Sequence, residues 1–98
     1  MRTMRSLSYP VPRRYSQPPE FYARLLGGQI RALRLMDGRP LEELAPQAGL
    51  TVAEWEEVET GQVPPCWEIV VLLAQLFGVG RAWRKHMLPL YLGSQQLG

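Results

Sequence analysis

The sequence predicts an all-α fold of four to five short helices, and three observations support this. Apolar residues recur at spacings of three and four along most of the chain, as on the buried face of an amphipathic helix. Glycines and prolines separate these stretches at Asp37-Gly38, Ala48-Gly49, 61–65 and 78–80. No stretch alternates apolar and polar residues in the way that a half-buried strand requires. The 98 residues suffice for one domain with a modest core.

The first 19 residues are predicted to form an extended basic arm. They hold four arginines, four prolines and no acidic residue, and they show no helical periodicity. Two interpretations stay open: an arm that contacts phosphates or wraps around a partner, and a polar tail that makes no contacts. Arg5, Arg13 and Arg14 are the candidate contact residues of a binding arm.

The first helix is predicted to begin after Pro18-Pro19 and to end near Met36, with Gly38 in the left-handed position that closes it. Gly27-Gly28 weakens its middle by about 1 kcal/mol per glycine relative to alanine. The regular helix therefore either spans the whole segment or begins only after a separate turn over 20–25.

The second helix is predicted over 40–48. Pro40 suits its first position, where a missing N–H costs no hydrogen bond. Pro46 lacks the N–H that a helix interior needs, so this helix should be bent or shortened. A tight turn is predicted to follow at Ala48-Gly49-Leu50.

The third helix is predicted to begin after Thr51 and to end near Thr60. The Thr51 hydroxyl and the Glu54 carboxylate are spaced to exchange capping hydrogen bonds, and Gly61 suits the other end. Trp55 is assigned to the core. Together with the second helix and the glycine-containing turn, this helix completes the layout of a helix-turn-helix.

The fourth helix is predicted over Cys66–Phe77, followed by a short helical segment over Arg81–Met87 and an apolar tail over Leu88–Leu92. The fourth helix is apolar on two sides, and a helix of this kind must be covered on both. One side forms the core, and the other needs the tail, a second subunit or both. The sequence favours a homodimer interface that uses both, formed by Ile69, Leu72, Leu76, Leu90 and Tyr91.

Charge is distributed unevenly, although the net charge is only +2. Residues 1–39 hold eight arginines against two acidic residues, and residues 81–98 hold three basic residues and no acid. Residues 40–80 hold seven glutamates and neither lysine nor arginine. Such asymmetry bears on binding partners more than on fold.

Residues 26–79 resemble the XRE/Cro-type helix-turn-helix family of phage and bacterial regulators, whose domains are lambda repressor-like. The segments that carry the resemblance are LGGQIRALR, LEELAPQAGLT, VETG, Pro65 and LLAQLFGV, in that order. The resemblance implies a helix-turn-helix domain over 20–80. The basic arm of 1–19 precedes it, and a C-terminal helix with its apolar tail follows over 81–98.

The resemblance also implies which residues face DNA. The family reads bases from the start and the exposed face of the third helix, assisted by the start of the second. On this sequence the resemblance places these positions at the following residues: Pro40, Leu41 and Glu42 in the second helix, Thr51, Val52, Ala53, Glu54 and Glu57 in the third, and Gln62 after the loop glycine.

The charge of this surface conflicts with DNA binding, which gains largely from basic side chains that release condensed counterions. The third helix carries four glutamates and no basic residue. One of them, Glu59, matches a position that is usually structural in the family. Three resolutions stay open: phosphate contacts from the arm, a different DNA face built from first-helix arginines or from 81–85, and an acidic face that docks a basic protein surface instead.

Catalysis has little support, because the chain has one histidine, one cysteine and one aspartate. No glycine-rich phosphate loop and no metal-ligand spacing occurs, so no enzyme activity and no cofactor is predicted. The longest apolar run, Ile69–Ala74, is far shorter than the roughly 20 residues of a membrane span. Cys66 is expected to behave as a small buried hydrophobe. A single cysteine cannot form a disulfide within the chain, which indicates a reducing, cytoplasmic compartment.

The sequence therefore predicts a DNA-binding transcriptional regulator of the XRE type, acting on double-stranded DNA as a homodimer. Its recognition helix is unusually acidic, and the basic arm supplies phosphate contacts. The alternative is an adaptor that keeps the fold without reading DNA and docks a protein partner through the acidic third helix.

Overall fold

The computed structural model describes residues 15–96 and contains five α-helices and no strand in that range. Helix α1 spans Pro19–Asp37, α2 spans Leu41–Gln47, α3 spans Val52–Thr60, α4 spans Trp67–Leu76 and α5 spans Arg81–Ser94. The predicted all-α class and the order of its elements are confirmed.

Helix α1 is continuous across Gly27-Gly28, so the separate turn considered for 20–25 does not form. The helix ends at Gly38, whose φ of 84° is left-handed and whose N–H donates to the Arg34 carbonyl at 3.1 Å. Gly27 is buried at the crossing with α3, where an added Cβ would lie 2.6 Å from the Glu59 carbonyl oxygen. Glycine weakens α1 locally, but its missing side chain allows this close approach.

Helix α2 is only seven residues long and contains Pro46, as its composition predicts. It begins one residue later than expected, with Pro40 at the N-cap. Gly49 then takes a φ of 72°, and the Leu50 N–H donates to the Ala45 carbonyl at 2.9 Å. This turn redirects the chain into α3.

Helix α3 begins with the predicted reciprocal cap. The Glu54 N–H donates to the Thr51 hydroxyl at 3.0 Å, and the Thr51 N–H donates to the Glu54 carboxylate at 2.8 Å. Gly61 closes the helix with a φ of 83°. The two caps fix both ends of α3 and therefore the residues that it can present to solvent.

The prediction that the last helix ends near Met87 is wrong, because α5 continues through Pro89 to Ser94. A proline inside a helix removes one backbone hydrogen bond, and here tertiary packing supports the helix beyond it. Gly93 is buried against the ring of Tyr22 in α1, where an added Cβ would lie 2.5 Å from the ring. The segment predicted as a tail is therefore part of a helix packed along α1.

The core lies between α1 and the helix-turn-helix, and α4 and α5 complete it. Trp55 is 1% exposed and meets the ring of Phe77 edge to face at a centroid distance of 6.1 Å. This confirms the assignment of Trp55 to the core. The other large and fully buried side chains are Leu26, Ile30, Leu44, Leu73 and Val70.

Cys66 is exposed, so the expectation of a buried thiol is wrong. The residue occupies the N-cap of α4 directly after Pro64-Pro65, with an extended backbone. At this position the chain enters α4 from the surface, and the side chain stays in solvent.

Candidate nucleic-acid interface

The outer surface of the helix-turn-helix is formed by the start of α2 and the exposed face of α3. Thr51, Glu54, Glu57 and Gln62 are exposed, and Val52 is half-buried. Both ends of α3 are held by caps, and Trp55 and Val58 anchor its inner face in the core. The predicted DNA-facing residues from Thr51 to Gln62 therefore lie on or beside one rigid helix.

Glu59 belongs to the interior rather than to this surface. Its carboxylate accepts hydrogen bonds from Arg34 Nε at 2.6 Å, from Arg34 Nη2 at 2.9 Å and from Trp55 Nε1 at 2.7 Å. The hydrogen bond to Glu59 holds the pKa of Arg34 above its ordinary value, against a smaller opposing effect of burial. Because its charge is neutralised inside the fold, Glu59 does not add to the acidity of the α3 surface.

Three exposed glutamates remain on α3, namely Glu54, Glu56 and Glu57. On α2, Glu42 and Glu43 are also exposed. All five carboxylates belong to the two helices of the helix-turn-helix, so its outer surface carries a concentrated negative charge.

Arg31 is an exposed basic residue beside this acidic surface, near Arg34. It lines a cavity of about 550 Å³ with Glu56, Glu57 and Gln62. From the sequence, the first-helix arginines were a candidate DNA face as a group, and Arg31 was not distinguished from the others. Its spacing of three residues from Arg34 was the available signal, because residues so spaced share a helix face.

Arg39, just before α2, is occupied by contacts within the fold. Its Nε donates to Asp37 Oδ2 at 2.8 Å, and its Nη2 donates to the Leu76 carbonyl at 3.0 Å. The hydrogen bond from Arg39 lowers the pKa of Asp37 below its usual range. The guanidinium thus ties the α1–α2 loop to the end of α4, and its charge is paired with Asp37.

The arginines predicted to contact phosphates, Arg5, Arg13 and Arg14, lie outside the residues that the structure describes. The alternative basic cluster at the start of α5 contains Arg81 and Lys85, both exposed, and the half-buried Arg84.

The residues predicted to form a dimer interface pack partly within the chain. Ile69, Leu72, Leu76, Leu90 and Tyr91 are half-buried against the core. Tyr91 also meets the ring of Trp67 at a centroid distance of 5.2 Å, which joins α5 to α4. Large apolar side chains stay open on α5 itself, where Leu88 is 40% and Leu92 is 41% exposed.

A family model described as a helix-turn-helix domain matches residues 25–87, which is more than half of the chain. The chain belongs to this helix-turn-helix family. Within that class it is of the XRE/Cro-like type, as its sequence segments indicated. Comparison with curated proteins and with solved structures found no match.

Two further findings apply to the part of the chain between residues 15 and 96. No helix there has the length and apolar character needed to cross a membrane. No group of three or more histidine, cysteine, aspartate and glutamate side chains is placed there to hold a metal ion.

Proposed function

We propose that this chain is a DNA-binding transcriptional regulator of the XRE type that places α3 and the start of α2 against duplex DNA. The observation that carries the proposal is the division of α3 into two faces. Trp55, Val58 and Glu59 are buried, whereas Thr51, Glu54 and Glu57 are exposed on a helix capped at both ends. A rigid helix with one open face is what the major groove admits.

The exposed residues of α3 suit base reading better than phosphate binding. A glutamate accepts a hydrogen bond from the amino group of cytosine, and a threonine contacts either a base edge or a thymine methyl. The Gln62 amide donates to phosphate oxygens without adding charge. Specificity is therefore assigned to Thr51, Val52, Glu54 and Glu57, and affinity must come from elsewhere.

The affinity is assigned to arginines outside α3. Arg5, Arg13 and Arg14 contact phosphates from the arm, as arms do in other helix-turn-helix proteins. Arg31 supports them from α1, because it is exposed beside Gln62 at the edge of the same surface. Neutralisation of Glu59 by Arg34 favours this arrangement, since it removes one of the four α3 charges that would repel DNA.

The regulator is proposed to act as a homodimer, because two copies read two half-sites of an operator. The interface uses the outer edges of α4 and α5, at Ile69, Leu72, Leu76, Leu90 and Tyr91. Their partial exposure, continued on α5 by Leu88 and Leu92, supports this assignment.

Fluorescence anisotropy on a labelled duplex of mixed sequence, measured across a salt series, tests the proposal. The wild type should bind at low salt, and Arg13→Ala/Arg14→Ala should reduce the slope of log affinity against log salt by about two. A matched variant, Arg81→Ala/Arg84→Ala, removes the same charge from α5 and should keep the wild-type slope. Absence of wild-type binding at low salt would contradict the proposal.

One observation favours a second candidate function, an adaptor that docks a basic protein partner. The five exposed carboxylates of α2 and α3 give these two helices a strong excess of negative charge, and complementary charge steers association between proteins. Neutralising Glu54 and Glu57 separates the two functions, because it strengthens DNA binding but weakens a complex with a basic protein.

A further inference from the structure

A groove with an apolar floor runs between α3 and α4, beside the proposed DNA-facing surface. Its volume is about 240 Å³, and its apolar lining residues are Leu50, Val58, Val63, Pro64, Pro65 and Ile69. Val63 is 47% exposed, so this lining is open to solvent. We call this site the α3–α4 groove.

The α3–α4 groove is acidic at its edge. Glu54 and Glu57 line it from α3 and are both exposed, and no lysine or arginine lines it within the described range. Apolar surface beside exposed carboxylates selects an occupant with apolar side chains interspersed with basic ones.

Residues 1–14 of this chain have that chemistry. They contain four arginines and no acid, interspersed with apolar and aromatic residues such as Met4, Leu7, Tyr9 and Val11. A partner with these properties is therefore already attached to the protein, at a high effective concentration.

Residues 1–14 join the described chain at Tyr15, four residues before Pro19. Pro19, at the start of α1, lines a cavity of about 200 Å³ together with Pro64 of the groove wall. Tyr15 itself lies against α5, where it lines a cavity of about 420 Å³ with Leu88. A fully extended segment of 14 residues spans about 46 Å, which is the reach available to the arm from Tyr15.

We propose that, in the free protein, residues 1–14 bind in the α3–α4 groove of their own chain. Their apolar side chains cover the floor, and their arginines pair with Glu54 and Glu57. The regulatory meaning rests on the proposed function: the same arginines cannot contact phosphates until they leave the groove, so DNA must displace them. The docking itself concerns the free protein and is tested without DNA.

Paramagnetic broadening of amide resonances tests the docking in the 98-residue chain. A nitroxide is attached at Ser6→Cys in a Cys66→Ser background, and the ¹⁵N-labelled amides are compared with the reduced, diamagnetic sample. The broadening should be centred on Leu50, Val58 and Val63. Adding Glu54→Gln/Glu57→Gln should lower the ratio of docked to free arm about fivefold, as expected for two exposed charge pairs.

Two controls keep the result specific. Glu42→Gln/Glu43→Gln removes the same charge from α2 and should leave the broadening at the groove in place. Glutamine at position 54 still accepts the Thr51 N–H, so the α3 cap is retained. A second sample mixes chains that carry the nitroxide but no ¹⁵N with chains that carry ¹⁵N but no nitroxide. The amides of Leu50, Val58 and Val63 should not be broadened in this sample.

Broadening that is spread evenly over the surface, or that is unaffected by Glu54→Gln/Glu57→Gln, would overturn the proposal. Broadening of the groove amides in the mixed sample would show that the occupant is a neighbouring copy and would overturn docking within one chain. The docking is measured without DNA, so an absence of DNA binding in the anisotropy experiment would not alter this result. The two proposals can therefore fail independently of each other.

Discussion

Arg34 in α1 and Glu59 in α3 form a bidentate ion pair, with Nε–Oε2 and Nη2–Oε1 distances of 2.6 and 2.9 Å. The Glu59 side chain is 6% exposed and also accepts the Trp55 indole N–H. One carboxylate therefore joins the first helix to the buried face of the recognition helix. The pair sets the position of α3 and at the same time reduces the negative charge at its surface.

Breaking this ion pair should destabilise the fold. Arg34→Met leaves the Glu59 carboxylate buried with only Trp55 as a partner, and the unfolding free energy should fall by about 2 kcal/mol. The partial exposure of Arg34, at 20%, keeps the loss below that of a fully buried pair. Urea unfolding measures the change.

The matched control for this variant is Arg31→Met, one turn away on α1 and exposed. Its unfolding free energy should stay within about 0.5 kcal/mol of the wild type. Equal losses in the two variants would show that the helix composition, rather than the ion pair, is responsible.

Two adjacent glycines of α1 should respond in opposite ways to the same substitution. At Gly27 a Cβ would meet the backbone carbonyls of α3, which cannot move aside cheaply, so Gly27→Ala should destabilise the fold by about 2 kcal/mol. At Gly28 a Cβ meets nothing within 4 Å, so Gly28→Ala should stabilise the fold by about 0.5–1 kcal/mol. Thermal unfolding of both variants measures this, and a stabilised Gly27→Ala protein would disprove the close crossing.

The Arg39–Asp37 pair should give the stability a dependence on acid pH. The hydrogen bond from Arg39 holds the pKa of Asp37 lower in the folded than in the unfolded chain. The ionised carboxylate therefore stabilises the fold fully above its unfolded pKa of about 4, and this contribution disappears as pH falls through the folded-state pKa. The urea midpoints of wild type and Asp37→Asn should differ at pH 7 and converge in acid.

The Arg39→Gln background provides the control for this prediction. Without the guanidinium the largest cause of the low Asp37 pKa is lost, and the backbone N–H of residue 39 still donates to the carboxylate. Adding Asp37→Asn should therefore change the midpoint much less at pH 7 than it does in the wild type. A pH-dependent difference of undiminished size in this background would assign the effect to another group.

The proposed dimer predicts a change of mass on substitution of Leu72. Leu72→Glu places a charge on the outer edge of α4 and should convert a dimer to a monomer in multi-angle light scattering. Leu35→Glu introduces the same charge at a position on α1 that is 56% exposed and should leave the dimer intact. A dimeric Leu72→Glu protein with an unchanged circular dichroism spectrum would exclude this interface.

Local signals in the sequence predicted most of the helix boundaries. The Thr51–Glu54 cap, Gly38 and Gly61 act within one turn of the chain, so their spacing alone indicates where helices begin and end. The prediction failed at α5, where tertiary contacts outweigh the local helix-breaking effect of a proline. Pro89 lies inside the helix, and packing at Gly93 supports the helix beyond it.

The acidic outer surface of α3 was predicted from the sequence, but the arginine contacts beside it were not. The resemblance indicated the DNA-facing positions of α3, and the structural role of Glu59 followed from the same source. That Arg34 neutralises Glu59, and that Arg31 lies beside Glu56 and Gln62, depends on the angle at which α1 crosses α3. No spacing in the sequence specifies that angle.

The central claim is that α3 faces DNA while arginines outside it supply the affinity. Anisotropy titrations of one duplex with wild type, Glu54→Gln/Glu57→Gln and the control Glu20→Gln/Glu68→Gln test it most directly. We predict that all three proteins bind at low salt and that the α3 variant binds about fivefold more tightly than the other two. No binding by any of them, or equal binding by all three, would contradict the account.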